Sequence, residues 1–261
     1  MKSAGTIAAF YENIRTGAAH DGIPMAEAVS ALCASGLRGL YISYESASEY
    51  ADEIAETLKR TGAEVTGLHA WVTFGENGTE ARRVIDRAKD LGTDHALIVP
   101  VCEDNDIGTL IAGMRDAVSY GKTRGVRVYM EDLDQSDSPY NSVNGLRTFL
   151  ERVPGLNCCF DTGNWIMHRE DEVEAFRQFR GRIGAMHLKD RRAAPGNADD
   201  EGVRILDGTF RYPAPVGKGD IRIAEILSMA EDWPVIVEMY GYSPGHMLEG
   251  IRESVEWIKG E

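Results

Sequence analysis

Eight short apolar runs alternate with segments of helical spacing along the whole chain, and this alternation constrains the fold more than any other feature. The runs cover 5–10, 37–44, 63–72, 95–101, 126–130, 156–160, 183–188 and 234–239. The segments between them carry apolar residues on one side, as Met25, Val29, Leu32 and Cys33 do in 24–35. The runs themselves are near-continuously apolar, as strands are when helices cover both faces of a parallel sheet. Strict alternation over 261 residues predicts an α/β fold of the (β/α)8 TIM barrel type, forming a single domain over 1–261. The rival is a doubly wound open sheet. Its usual mark is a glycine-rich turn after the first strand, and here Phe10-Tyr11-Glu12-Asn13 stands instead.

Local signals place the helix starts. Ser46-Ala47-Ser48-Glu49 reads as a capping box, and Asn77 with Glu80 frames another. Asp220 is expected to cap 221–230, and Ser243-Pro244 to open the closing helix. A long polar insert, 191–219, follows the seventh run.

In such a barrel the reactive groups lie at the C-terminal ends of the strands. The fifth run ends in Glu131, the sixth in Asp161, the seventh in His187 and the eighth in Glu238. Singly, each has a plainer explanation: an ion pair for either glutamate, a turn for Asp161, a hydrogen-bonded core position for His187. On four successive strand ends they form one arc. Three carboxylates converging there repel one another, and a divalent cation removes that penalty. An oxygen-rich set with one imidazole suits Mn²⁺, Mg²⁺ or Co²⁺, and accommodates Zn²⁺.

Composition narrows the partners. The net charge is −14 and no Lys/Arg-rich run appears, which argues against nucleic acid and against an anionic membrane surface. The four cysteines, Cys33, Cys102, Cys158 and Cys159, form no CxxC pair, so buried reduced thiols are expected. Adjacent Cys158 and Cys159 should face opposite sides of a strand. No signal-like segment and no apolar stretch of about 18 residues is present, which leads to the expectation of a cytoplasmic protein.

The motifs Met130-Glu131-Asp132, Phe160-Asp161-Thr162-Gly163-Asn164, Met186-His187-Leu188-Lys189-Asp190 and Val237-Glu238 resemble those of the xylose isomerase-like TIM barrels. More narrowly they resemble the sugar phosphate isomerase/epimerase group, which includes ketose 3-epimerases, hydroxypyruvate isomerases and inosose dehydratases. The resemblance implies metal ligands at Glu131, Asp161, His187 and Glu238, with Glu131 and Glu238 as an acid/base pair. It implies a manganese-type enzyme of carbohydrate metabolism, a small sugar or polyol substrate, and pairing of copies into a homo-oligomer.

Further residues join the expected site. His69, Trp71 and His168 are candidates for substrate contact, and Lys189, Arg191 and Arg192 for an anionic or oxyanionic group. Trp165 is a candidate wall and Glu45 a candidate at the end of the second strand. Gly217-Lys218-Gly219 is a weak candidate phosphate cradle.

Four functions are weighed. An isomerase or epimerase comes first, and a dehydratase of a polyol ketone such as an inosose second. A non-catalytic sugar-binding or partner subunit is third. An abasic-site endonuclease of the same superfamily is last, since it needs more histidines at strand ends. The fourth run ends in Pro100-Val101-Cys102-Glu103, without one.

Overall fold

A computed structural model describes residues 5–75 and 79–260. The barrel strands are β1 (Ile7–Phe10), β2 (Gly39–Ser43), β3 (Glu64–Thr73), β4 (His95–Val101), β5 (Arg127–Met130), β6 (Asn157–Asp161) and β7 (Ile183–Leu188). Three further strands, β8 (Asp190–Arg192), β9 (Val203–Arg204) and β10 (Phe210–Ala214), form a small antiparallel sheet within the insert. The last barrel strand, β11 (Val235–Val237), pairs in parallel with both β7 and β1 and closes the ring. The eight-stranded (β/α)8 barrel expected from the alternation is therefore present.

The strands build two layers because successive side chains alternate between faces. Ala8, Phe10, Tyr41, Leu97, Tyr129, Cys159, Ala185 and Ile236 fill the barrel interior. Their neighbours, Cys158 among them, pack outward against the helices. The same alternation sets the mouth. Glu131, Asp161, His187 and Glu238 stand two residues beyond Tyr129, Cys159, Ala185 and Ile236, so each rises one step above the interior layer. Asp161 pairs with His187, while His187 pairs with Ile236, so Glu238 stands two residues further along its strand.

Several local expectations are corrected. A helix, Tyr11–Asp21, follows β1 directly. Its many small and polar residues hide the apolar period, and Gly22 ends it at φ 66°. The segment after β2 starts earlier than its capping box suggested. Ser43 caps a short helix, Tyr44–Glu49, by accepting the Ser46 N–H at 3.0 Å, and a second helix, Ala51–Thr61, follows. Asn77 lies outside the described residues; the helix Glu80–Asp90 has Thr79 at its N-cap. Asp220 does not cap the helix Ile223–Met229, whose N-cap is Arg222. Its N–H instead donates to the Arg191 carbonyl at 2.7 Å. No helix among the described residues is long and apolar enough to cross a membrane.

The insert is fastened by two buried carboxylates. Asp190 accepts from the N–H groups of Arg191, Gly217, Gly219 and Ile221. This overturns the phosphate-cradle expectation, because the glycine N–H groups already bind an internal anion. A Cβ on Gly219 would lie 2.1 Å from the Asp190 carboxylate, so the close approach needs glycine. Asp200 accepts from the N–H groups of Gly196, Asn197 and Ser243 and pairs with Arg192 at 3.1 Å. It thereby ties the insert to the loop after β11. Replacing Asp200 by Ala strands these donors and should cost about 3 kcal/mol. The loss falls on the insert, where amide exchange over 191–204 should quicken on the order of a hundredfold. Unchanged protection there would show that Asp200 does not anchor it.

Candidate active site

The four strand-end groups meet. His187 Nδ1 lies 2.8 Å from Glu131 Oε2 and 3.3 Å from Glu238 Oε2. Lys189 Nζ lies 2.6 Å from Glu238 Oε1 and 3.2 Å from Asp161 Oδ2, and donates to Asn164 Oδ1 at 2.8 Å. The other Asp161 oxygen accepts the N–H groups of Gly163 and Asn164 at 2.7 and 2.8 Å. Gly163 makes room for this: a Cβ there would stand 2.6 Å from the Lys189 carbonyl and 2.9 Å from its Cγ.

Burial makes this cluster strongly interacting. Asp161 and His187 are at most 1% exposed and Glu238 is 7% exposed. Burial, with Glu238 and Glu131 nearby, outweighs the Lys189 charge and holds the Asp161 carboxyl up at about 6. For Glu238 burial is outweighed instead: Lys189 and His187 hold its carboxyl down at about 2. Burial opposes a charge on His187, but Cys159 and Glu131 beside the ring override it and hold the imidazole well above its usual range. Lys189 is likewise held charged by Asp161 and Glu238 against its own burial.

The cluster fits a divalent cation. Oxygen or nitrogen atoms of Asp161, His187 and Glu238 lie within 4.8 Å of one another, and atoms of Glu131, Cys159 and His187 do the same. Glu131 Oε2, Asp161 Oδ2 and both His187 nitrogens are buried without an aligned hydrogen-bond partner. Buried polar atoms are ordinarily satisfied, so unaligned acceptors at close range are what a coordinating ion would use. Cys159 is a poorer donor, because burial pushes its thiol up to about 11.

A cavity of about 380 Å³ opens over the cluster. Glu131, His187, Lys189 and Glu238 form its floor, and His69, Trp71, Arg191 and Tyr240 are on its walls. His69, Trp71, Lys189 and Arg191 thus reach the expected mouth, although Lys189 is committed to the acidic cluster. Four expectations are corrected. His168 lines a neighbouring pocket with Arg204 and Leu206. Arg192 is bound to Asp200 and anchors the insert. Trp165 is wholly buried, donates to the Asp161 carbonyl and stacks on Phe160 and Phe179, so it is core rather than wall. Glu45 sits in the helix after β2 and is exposed.

Sequence reasoning passed over Glu12. Its Oε1 accepts the Ser43 N–H at 2.9 Å and its Oε2 stands 3.8 Å from His69 Nε2. Burial is outweighed by His69 and the Ser43 N–H, which hold the carboxyl at about 2. The signal was available: Glu12 stands two residues beyond interior Phe10, as the other four groups stand beyond theirs. Asp132 was also missed. Its carboxyl is fully buried with neither oxygen partnered, and burial followed by Asp161 and Glu131 pushes it well above the carboxylate range.

No curated protein matches the sequence. Among solved structures, IolI protein with a bound zinc atom has a TM-score of 0.72 at 14% identity, covering 98% of each chain. D-allulose 3-epimerase from Methylomonas sp. has a TM-score of 0.70 at 15% identity, covering 100% of this chain and 99% of that one. The probable 3-DHS dehydratase AsbF from Bacillus anthracis has a TM-score of 0.70 at 15% identity, covering 97% and 98%. The chain spans 42% of a fusion of a xylose isomerase-like TIM barrel with a 4-hydroxyphenylpyruvate dioxygenase. Identities this low carry the fold alone. The family model of the xylose isomerase-like TIM barrel matches residues 19–261. The chain belongs to the xylose isomerase-like TIM barrel family.

Proposed function

We propose that this barrel is a divalent-metal-dependent isomerase or epimerase that moves a proton beside the carbonyl of a sugar or small hydroxy-carbonyl compound. One observation carries the reading: three carboxylates and one imidazole meet at the barrel mouth with buried, unaligned acceptor atoms. Glu131, Asp161, His187 and Glu238 would hold the cation, with Mn²⁺, Mg²⁺, Co²⁺ or Zn²⁺ compatible with that set. When bound, the ion supplies charge stabilisation for an enediolate.

The remaining work falls to the chain. Glu131 and Glu238 both reach the cavity and flank His187. One takes the proton from the carbon beside the carbonyl and the other returns it from the opposite face. Lys189 holds Asp161 and Glu238 in place and offsets their repulsion. Trp71 and Tyr240, 45% and 44% exposed, frame the entrance.

Proton NMR in D₂O tests the reading on a panel of ketoses, hydroxypyruvate and inososes, with Mn²⁺ added and metal content measured. The expected result is stoichiometric metal and deuterium at the carbon beside the carbonyl. Loss of water from the product would assign a dehydratase to the same site. Protein that binds no divalent ion and exchanges no proton would overturn the proposal.

A further inference from the structure

Arg191 is 4% exposed, yet its side chain lines the cavity. Guanidinium groups this buried are almost always paired. The basic neighbours are paired: Lys189 with Asp161 and Glu238, and Arg192 with Asp200. Arg191 makes no ion pair among the described residues, and its Nε is buried without a hydrogen-bond partner. Asp134 and Glu201 line the same cavity but neither pairs with it. The backbone around Arg191 is fixed, since its N–H donates to Asp190 and its carbonyl accepts from Asp220. The chain therefore holds a desolvated cation in place, facing a cavity, with no partner carboxylate among the described residues.

We propose that Arg191 receives an oxyanion carried by the substrate, so that the substrate is an acidic hydroxy-carbonyl compound rather than a neutral sugar. This rests on the isomerase reading only for the position of the reacting end. A carboxylate fits better than a phosphate. The planar fork of guanidinium matches a carboxylate with two parallel hydrogen bonds. A phosphate dianion needs more donors, and the nearby glycine N–H groups are already engaged by Asp190. Asp134 and Glu201 would also repel a dianion more strongly than a monoanion. The reacting end then lies over Glu131 and Glu238, with the acid group turned to the insert side of the cavity.

Three matched three-carbon probes test this: glycerate, glycerol 3-phosphate and glycerol. Each is titrated by calorimetry into the wild-type protein, Arg191→Met and Arg191→Lys, with and without Mn²⁺. Glycerate should bind the wild type at least about tenfold more tightly than Arg191→Met, with Arg191→Lys between them, and glycerol should not distinguish the three. Tighter, Arg191-dependent binding of glycerol 3-phosphate would overturn the carboxylate assignment. Equal glycerate affinity for the wild type and Arg191→Met would overturn the oxyanion site altogether.

Thermal unfolding supplies a second readout. Removing an unpaired buried charge should leave the midpoint of Arg191→Met unchanged or raised, whereas a fall would mark Arg191 as a structural partner and overturn the proposal. The two readings fail separately. If Mn²⁺ does not bind but glycerate still discriminates, the isomerase reading fails and the Arg191 site stands. If Mn²⁺ binds and glycerate does not discriminate, the reverse holds.

Discussion

Glu131→Gln and Glu238→Gln should each lower turnover by about 10²- to 10⁴-fold, the usual range for a lost acid or base. Glutamine keeps the shape and can still approach His187, but it can neither take nor return a proton. The two variants should differ in what survives. With one base on each face of the reacting carbon, removing Glu131 abolishes solvent exchange from the epimer that Glu131 serves. The other epimer should still exchange its proton through Glu238, and the pattern should invert in Glu238→Gln. Metal content must be measured beside exchange, because both residues border the proposed ion site. Variants that lose exchange from both epimers while retaining metal would sink the two-base scheme.

The environments of these glutamates are unequal. Lys189 at 2.6 Å and His187 at 3.3 Å hold Glu238 ionised at about 2. A base that weak is poorly matched to a carbon acid. In the two-base scheme, its contact with Lys189 therefore gives Lys189 a part in setting its basicity.

Much of this site was legible before the structure. Glu131, Asp161, His187 and Glu238 were readable because they end four successive apolar runs: each has a plain explanation alone, but four in one arc do not. The barrel was readable because strands covered on both faces cannot alternate in polarity. What stayed hidden shares one physical cause. Glu12 had the same two-residue offset from interior Phe10, but its link to His69 and Ser43 exists only once β1, β2 and β3 are side by side. Arg191 and Arg192 are neighbours in sequence with the same chemistry. Only the fold separates them, sending one to Asp200 and the other to the cavity. The glycine pair at 217 and 219 read as an anion cradle and is one, but its anion is Asp190, supplied by the chain itself.

The proposed metal site should bind Mn²⁺ far more weakly in acid. Asp161 titrates at about 6 in the metal-free cluster, and His187 is held protonated well above its usual range. Each must lose its proton before it can serve as a ligand, so binding releases protons. Between pH 5 and pH 7, loss of the Asp161 proton contributes about tenfold, and His187 acts in the same direction. Mn²⁺ affinity should therefore rise more than about tenfold across that range. Calorimetry in buffers of different ionisation enthalpy should count more protons released at pH 5 than at pH 7.

The metal-free protein should respond in the opposite sense. Asp161 binds its proton more tightly folded than unfolded, so burying its ionised form is a penalty that is relieved as pH falls through about 6 toward 4. The raised His187 acts in the same direction, stabilising the fold while it is protonated. Glu238 and Glu12, both held at about 2, give up stability only below about pH 4.5. Above it buried Asp132, also raised, acts with Asp161 and His187, while buried His95, held well below its usual range, opposes them as pH falls. Acidifying from pH 7 to pH 5 should raise the melting temperature without metal and lower it with Mn²⁺. Parallel shifts in the two states, or a metal affinity indifferent to pH, would mean that Asp161 and His187 do not share one proton-linked metal site.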